Sequence, residues 1–124
     1  MGLAIAIALG GALGSIFRYY LSKFLQDKVG IDFPFGTLVV NLIACFLIGF
    51  FFSYFVEKLA VSPAIRAFLI TGFLGGFSTF STFSYESYNL FMNGEVFKGM
   101  FYIFLSVFVG IFVTLLGYNT GRVL

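Results

Sequence analysis

The stretch Gly72 to Ser84, GFLGGFSTFSTFS, gathers the side chains best suited to handling an ion. Phe77, Phe80 and Phe83 recur three apart, as do Ser78, Ser81 and Ser84, with Thr79 and Thr82 filling the gaps. Hydroxyls donate and accept hydrogen bonds without formal charge. An aromatic ring is positive at its edge and negative at its face, so ring edges attract a small anion. Gly72, Gly75 and Gly76 stand before this rhythm, and a glycine costs about 1 kcal/mol against alanine inside a helix. The spacing predicts a helix broken near 75–79. Inside a bilayer, non-helical backbone persists only where it is buried in protein or lines a wet cavity.

Other polar residues lie in apolar surroundings, where an unpartnered polar side chain is costly and each one is a candidate site. Asn41 either ties two helices together or offers its NH2 group to an anion. Tyr102, Ser106, Gly110 and Thr114 are four apart and share one helical face. Twelve residues at about 1.5 Å each make a track of about 18 Å, more than half the hydrocarbon thickness. Its hydroxyls replace parts of an ion's water shell, or the row is a stripe for helix packing. Arg18 either draws anions to a pathway mouth or snorkels to the interface. Glu86 is expected to be exposed at a mouth or paired with a basic group.

These residues must be held by apolar elements. Of 124 residues, 60% are hydrophobic and 10% charged, with a mean hydropathy of +1.07. A soluble domain carries roughly 25% charged residues, so the class is integral membrane, all-α, in one domain over residues 1–124. A span needs roughly 20 mostly apolar residues. Four are expected, at about 3–21, 35–56, 64–91 and 96–118, the third being too long for one straight helix. Ser62 is read as an N-cap before Pro63, and Asn93-Gly94 as a turn. The first apolar run lacks the basic lead and cleavage pattern of a removable signal. Histidine is absent and Cys45 is the sole cysteine, which excludes histidine acid–base chemistry and an internal disulfide and makes Cys45 a packing residue. The small, dispersed net charge of +2 argues against nucleic acid as partner.

Four spans put both termini on one side. That side carries Lys58, Arg66 and Arg122, and the other carries Arg18, Lys23, Lys28 and Lys98. Orientation follows the Lys/Arg excess, and here there is almost none. Insertion in both directions, and an antiparallel dimer, are the expectation.

Three motifs together, GGALGSIFRY from Gly10 to Tyr19, GTLVVN from Gly36 to Asn41, and GFLGGFSTFSTFS, resemble the bacterial fluoride channels, the Fluc or CrcB family. The likeness covers all four spans. It implies an antiparallel, dual-topology homodimer of four-helix subunits in the cell inner membrane, with two pores that pass fluoride passively, reject chloride and lower cytoplasmic fluoride. By similarity, Asn41, Phe80 and Phe83 line the fluoride path with Ser81 and Thr82, and Tyr102, Ser106 and Thr114 form its polar track. Arg18 and Glu86 belong to the vestibule. A structural sodium ion is implied at the dimer centre, on backbone carbonyls of Gly75 and Ser78 from both subunits. Gly110 stands where some relatives place a serine.

Two other readings remain open from residues alone. A proton-coupled exporter of similar size relies on an intramembrane carboxylate, and Glu86 is the only acid inside an expected span. A structural protein that merely packs predicts no ion flux. No catalytic pair is visible, so no enzyme is expected.

Overall fold

The computed structural model describes all 124 residues, Met1–Leu124. It is built from helices alone. Four are long and apolar enough to cross a membrane: α1 (Gly2–Val29), α2 (Phe35–Lys58), α3 (Pro63–Met92) and α4 (Val96–Val123). Within α2, α3 and α4 the turns widen to π-type over Phe51–Lys58, Ala67–Leu74 and Leu105–Val109.

The ends of these helices follow local chemistry. Helix α1 carries its polar last turns on to Val29 and stops at Gly30, whose φ of 88° suits glycine. Gln26 then closes the loop to α2. Its Oε1 accepts from Gly36 N at 2.9 Å, and its Nε2 donates to the carbonyls of Phe33, at 2.7 Å, and of Gly30. Helix α3 opens with Ser62, whose Oγ accepts from Ile65 N at 3.3 Å, and with Pro63 at its first position. Proline loses nothing there, because that N–H has no intrahelical partner. The link to α4 turns at Gly94, at φ 77°.

Two glycine-lined contacts pack the helices in pairs. Gly10 and Gly14 of α1 are buried against the backbone of α3. A Cβ placed on Gly14 would come within 2.9 Å of Phe77 N. On the other side, Gly49 of α2 meets α4 backbone, and Gly117 and Gly121 of α4 meet α2. Such small residues allow the close backbone approach that drives helix association in lipid. Between the pairs lie two small cores. Val40 and Ala44 of α2 pack with Leu74 and Phe77 of α3, and Leu38 and Leu90 pack with Tyr102 of α4. Only 19 residues are buried, and large apolar side chains such as Ile16, Phe104, Phe108 and Ile111 face outward. An outward apolar surface of this kind suits lipid rather than water.

Candidate functional site: a polar seam around Ser78 and Thr79

Within α3 the helical backbone ends after Phe77 and resumes at Phe80. Ser78 (φ −86°, ψ 157°) and Thr79 (φ −150°, ψ 119°) are extended. Any residue adopts these angles, so the cost lies in backbone groups left without helical partners.

Neighbouring side chains supply those partners. Asn41 Oδ1 accepts from Thr79 N at 2.9 Å, and Asn41 Nδ2 donates to Thr79 O at 3.1 Å. Thr79 Oγ1 caps the following helical segment by accepting from Thr82 N at 3.3 Å, and it donates to Thr82 Oγ1 at 3.1 Å. Ser81 Oγ lies 3.4 Å from the same hydroxyl. Ser78 Oγ donates back to Leu74 O at 2.8 Å. From α1, Arg18 Nε donates to Gly76 O at 2.9 Å. The Ser78 carbonyl receives no hydrogen bond.

The aromatic side of the seam begins at Phe80, which is 79% exposed on the single chain. Its ring centre lies 5.6 Å from that of Phe83, and Phe83 lies 5.2 Å from Tyr102. Tyr102 is wholly buried. Its hydroxyl donates to Glu86 Oε1 at 2.9 Å, while Thr37 Oγ1 donates to Glu86 Oε2 at 3.1 Å. Of the two settings expected for Glu86, at a pathway mouth or paired with a basic group, the ion pair does not form. The two ion pairs, Lys23–Asp27 and Lys98–Glu95, lie elsewhere, and Glu86 is held half-buried by neutral hydroxyls.

Two concavities flank the seam. One, of about 510 Å³, is lined by Arg18, Thr37, Thr82, Glu86 and Asn89, with Lys23 and Asp32 toward the α1–α2 loop. The other, of about 400 Å³, is a more apolar groove between α2 and α3 that carries Asn41, Cys45, Gly75, Ser78 and Phe80. Along α4, Thr114 Oγ1 donates to Gly110 O at 3.1 Å. Ser106 Oγ is buried without a partner.

The fold therefore brings Asn41, Thr82, Phe80 and Phe83 together around Thr79, and brings Tyr102 to Phe83 and Glu86. Ser106, Gly110 and Thr114 continue along α4. Two pairings escaped the sequence reading. Thr79 is the residue that Asn41 holds, and Thr37 shares Glu86 with Tyr102. Thr37 carried a signal, because it stands four before Asn41 and so lies on the same face of α2. The partner of Asn41 had none, being 38 residues away.

Four helices long and apolar enough to cross a membrane, with polar side chains gathered around Ser78 and Thr79, define a multi-pass membrane protein. The chain belongs to the CrcB family. The family model described as CrcB-like protein, Camphor Resistance (CrcB), matches residues 5–118. The protein named fluoride-specific ion channel FluC from Aquifex aeolicus is 56% identical over 122 residues, covering 98% of each chain. The protein of that name from Desulfotalea psychrophila is 48% identical, covering 92% of this chain and 88% of its own. One from Thermus thermophilus is 47% identical, covering 97% and 95%. Relatives this similar are named as ion channels, and this chain is likewise not an enzyme.

Proposed function

We propose that this protein is a passive fluoride channel of the bacterial inner membrane, working as an antiparallel, dual-topology homodimer with α3 broken at Ser78 and Thr79. The observation that carries the reading is the seam itself. Amide, hydroxyl and ring-edge donors meet at one place without a lysine or arginine directly on the aromatic pair. Conduction needs binding strong enough for entry and weak enough for exit. A formal positive charge at the centre would hold a small anion too firmly, whereas neutral donors replace its water in steps. The names of the relatives supply the anion's identity.

In this mechanism Arg18, beside the polar cavity, raises the local anion concentration. Thr82 and Ser81 accept the anion from the cavity and hand it to the edges of Phe80 and Phe83. Tyr102, Ser106 and Thr114 then carry it along α4. No proton need move. Hydrogen fluoride enters cells by diffusion and ionises, and the channel lets the anion leave, which lowers its cytoplasmic level.

The near-even split of basic residues supports insertion in both orientations. The exposure of Phe80 and the apolar groove beside it support a second copy on that face. A sodium ion at the dimer centre fits the donors available. The free Ser78 carbonyl and Gly75 line the same groove, and hard carbonyl oxygens suit an alkali cation. Two such groups from each subunit would hold the ion and fix the subunits together.

Fluoride and chloride efflux from liposomes holding the purified chain tests the reading. Fluoride efflux without chloride efflux is expected. Efflux that requires a proton gradient would instead favour coupled export through Glu86, and the absence of any efflux would leave a packing protein.

A further inference from the structure

We propose that the Cys45 thiol completes the polar row of α4 where Gly110 interrupts it. The row Tyr102, Ser106, Gly110, Thr114 has a side-chain hydroxyl at every step but one. Gly110 is buried, and the space above it is taken from the neighbouring helix. A Cβ placed on Gly110 would lie 3.2 Å from Cys45 Sγ, with Leu42 next at 4.0 Å. The missing side chain is thus replaced by a sulfur atom from α2.

The surroundings suit a donor at that point. One turn beyond the gap, the Thr114 hydroxyl commits its hydrogen to Gly110 O at 3.1 Å. Cys45 follows Asn41 by one helical turn, and both line the groove that also carries Ser78 and Phe80. One turn before the gap, Ser106 Oγ is buried with no partner in the protein. A buried donor without a partner is costly, so the row is built to meet something besides the chain itself. A thiol is a weak donor on a polarisable atom. At the Gly110 step, between Ser106 and Thr114 in the row, it offers an anion contact without the tight hold of a charged group. Cys45 is then a lining residue of the anion path, not the packing residue that its apolar neighbours suggest.

The inference rests on the channel reading. Fluoride efflux from liposomes is measured for the unaltered protein, Cys45→Val, Cys45→Ser, Cys45→Ala and the double variant Cys45→Ala with Gly110→Ser. Valine keeps the bulk and removes the donor, so efflux is expected to fall about tenfold. Serine at 45 recovers most of that loss. In the double variant the hydroxyl returns on α4 in the space the thiol vacated, and efflux recovers over Cys45→Ala alone. Should Cys45→Val not assemble, that last comparison decides alone. An unaltered rate in Cys45→Val, or no recovery in the double variant, overturns the inference while unaltered-protein efflux leaves the channel reading standing. No efflux from the unaltered protein overturns both.

Discussion

Asn41 grips both backbone groups of Thr79, accepting from its N–H at 2.9 Å and donating to its C=O at 3.1 Å. A single side-chain amide thus pairs with one residue as a neighbouring strand would, at the point where α3 has no helical partners to offer. Of the two roles open to Asn41 from sequence, the tie between helices is the one its hydrogen bonds make. The second hydrogen of its NH2 group stays available to the groove.

That grip makes Asn41→Asp informative. A carboxylate still accepts from Thr79 N but loses the donor to Thr79 O and faces that carbonyl with negative charge. Losing a buried hydrogen-bond partner costs about 1–3 kcal/mol, and the new charge repels an anion as well. Fluoride efflux is expected to fall by at least about tenfold, read with a fluoride electrode. Efflux at the original rate would remove Asn41 from the path.

Phe80 tests the ring edges with little risk to the fold of the single chain, since it is 79% exposed there. Phe80→Ile keeps an apolar side chain and abolishes the positive rim. The expected result is a large loss of fluoride efflux with an unchanged elution profile in detergent. If efflux persists, anion transfer across the Phe80–Phe83 pair is wrong.

Tyr102→Phe removes one oxygen from a wholly buried position and leaves the ring packed on Phe33 and Phe83. Glu86 then keeps only the Thr37 donor. Stability should drop by about 1–2 kcal/mol, visible as a lower midpoint of thermal unfolding. Efflux should fall more than a change of that size in folded fraction explains.

The glycine contacts are tested by Gly14→Leu and Gly117→Val. Added side chains would meet the Phe77 backbone in the first case and the Phe46 backbone in the second. Backbone cannot move aside as a flexible side chain can, so overpacking of about 1–3 kcal/mol or more is expected. The readout is the yield of monodisperse protein. Normal yield for both variants would show that these helices have more room than their backbones indicate.

Sodium dependence separates the dimer-centre proposal from the pathway. Protein purified and reconstituted with a bulky organic cation in place of sodium should lose fluoride efflux and regain it when sodium is restored. Indifference to sodium would dismiss the role given to the Gly75 and Ser78 carbonyls without touching Asn41 or Phe80.

Much of the frame was legible in the residue order. Four apolar runs, the Ser62-Pro63 start and the Asn93-Gly94 turn are local signals, and each corresponds to a feature of the helices. The hydroxyl repeat marked where polar groups would gather. Of the two settings open to Glu86, at a pathway mouth or beside a basic group, the basic partner is absent. Its oxygens instead meet Thr37, 49 residues earlier, and Tyr102, 16 residues later.

The sequence alone determined composition, span count and the periodic placement of hydroxyls and rings, since these depend on nearest neighbours and helix pitch. The tertiary structure decided which polar groups meet. Glycine-lined contacts set how closely α1 approaches α3 and α2 approaches α4. That approach brings Arg18 to Gly76 and Cys45 over Gly110, and the packing of Val40 and Ala44 on Leu74 and Phe77 brings Asn41 to Thr79. No local pattern encodes such pairings, because each depends on the distance and rotation between helices far apart in the chain.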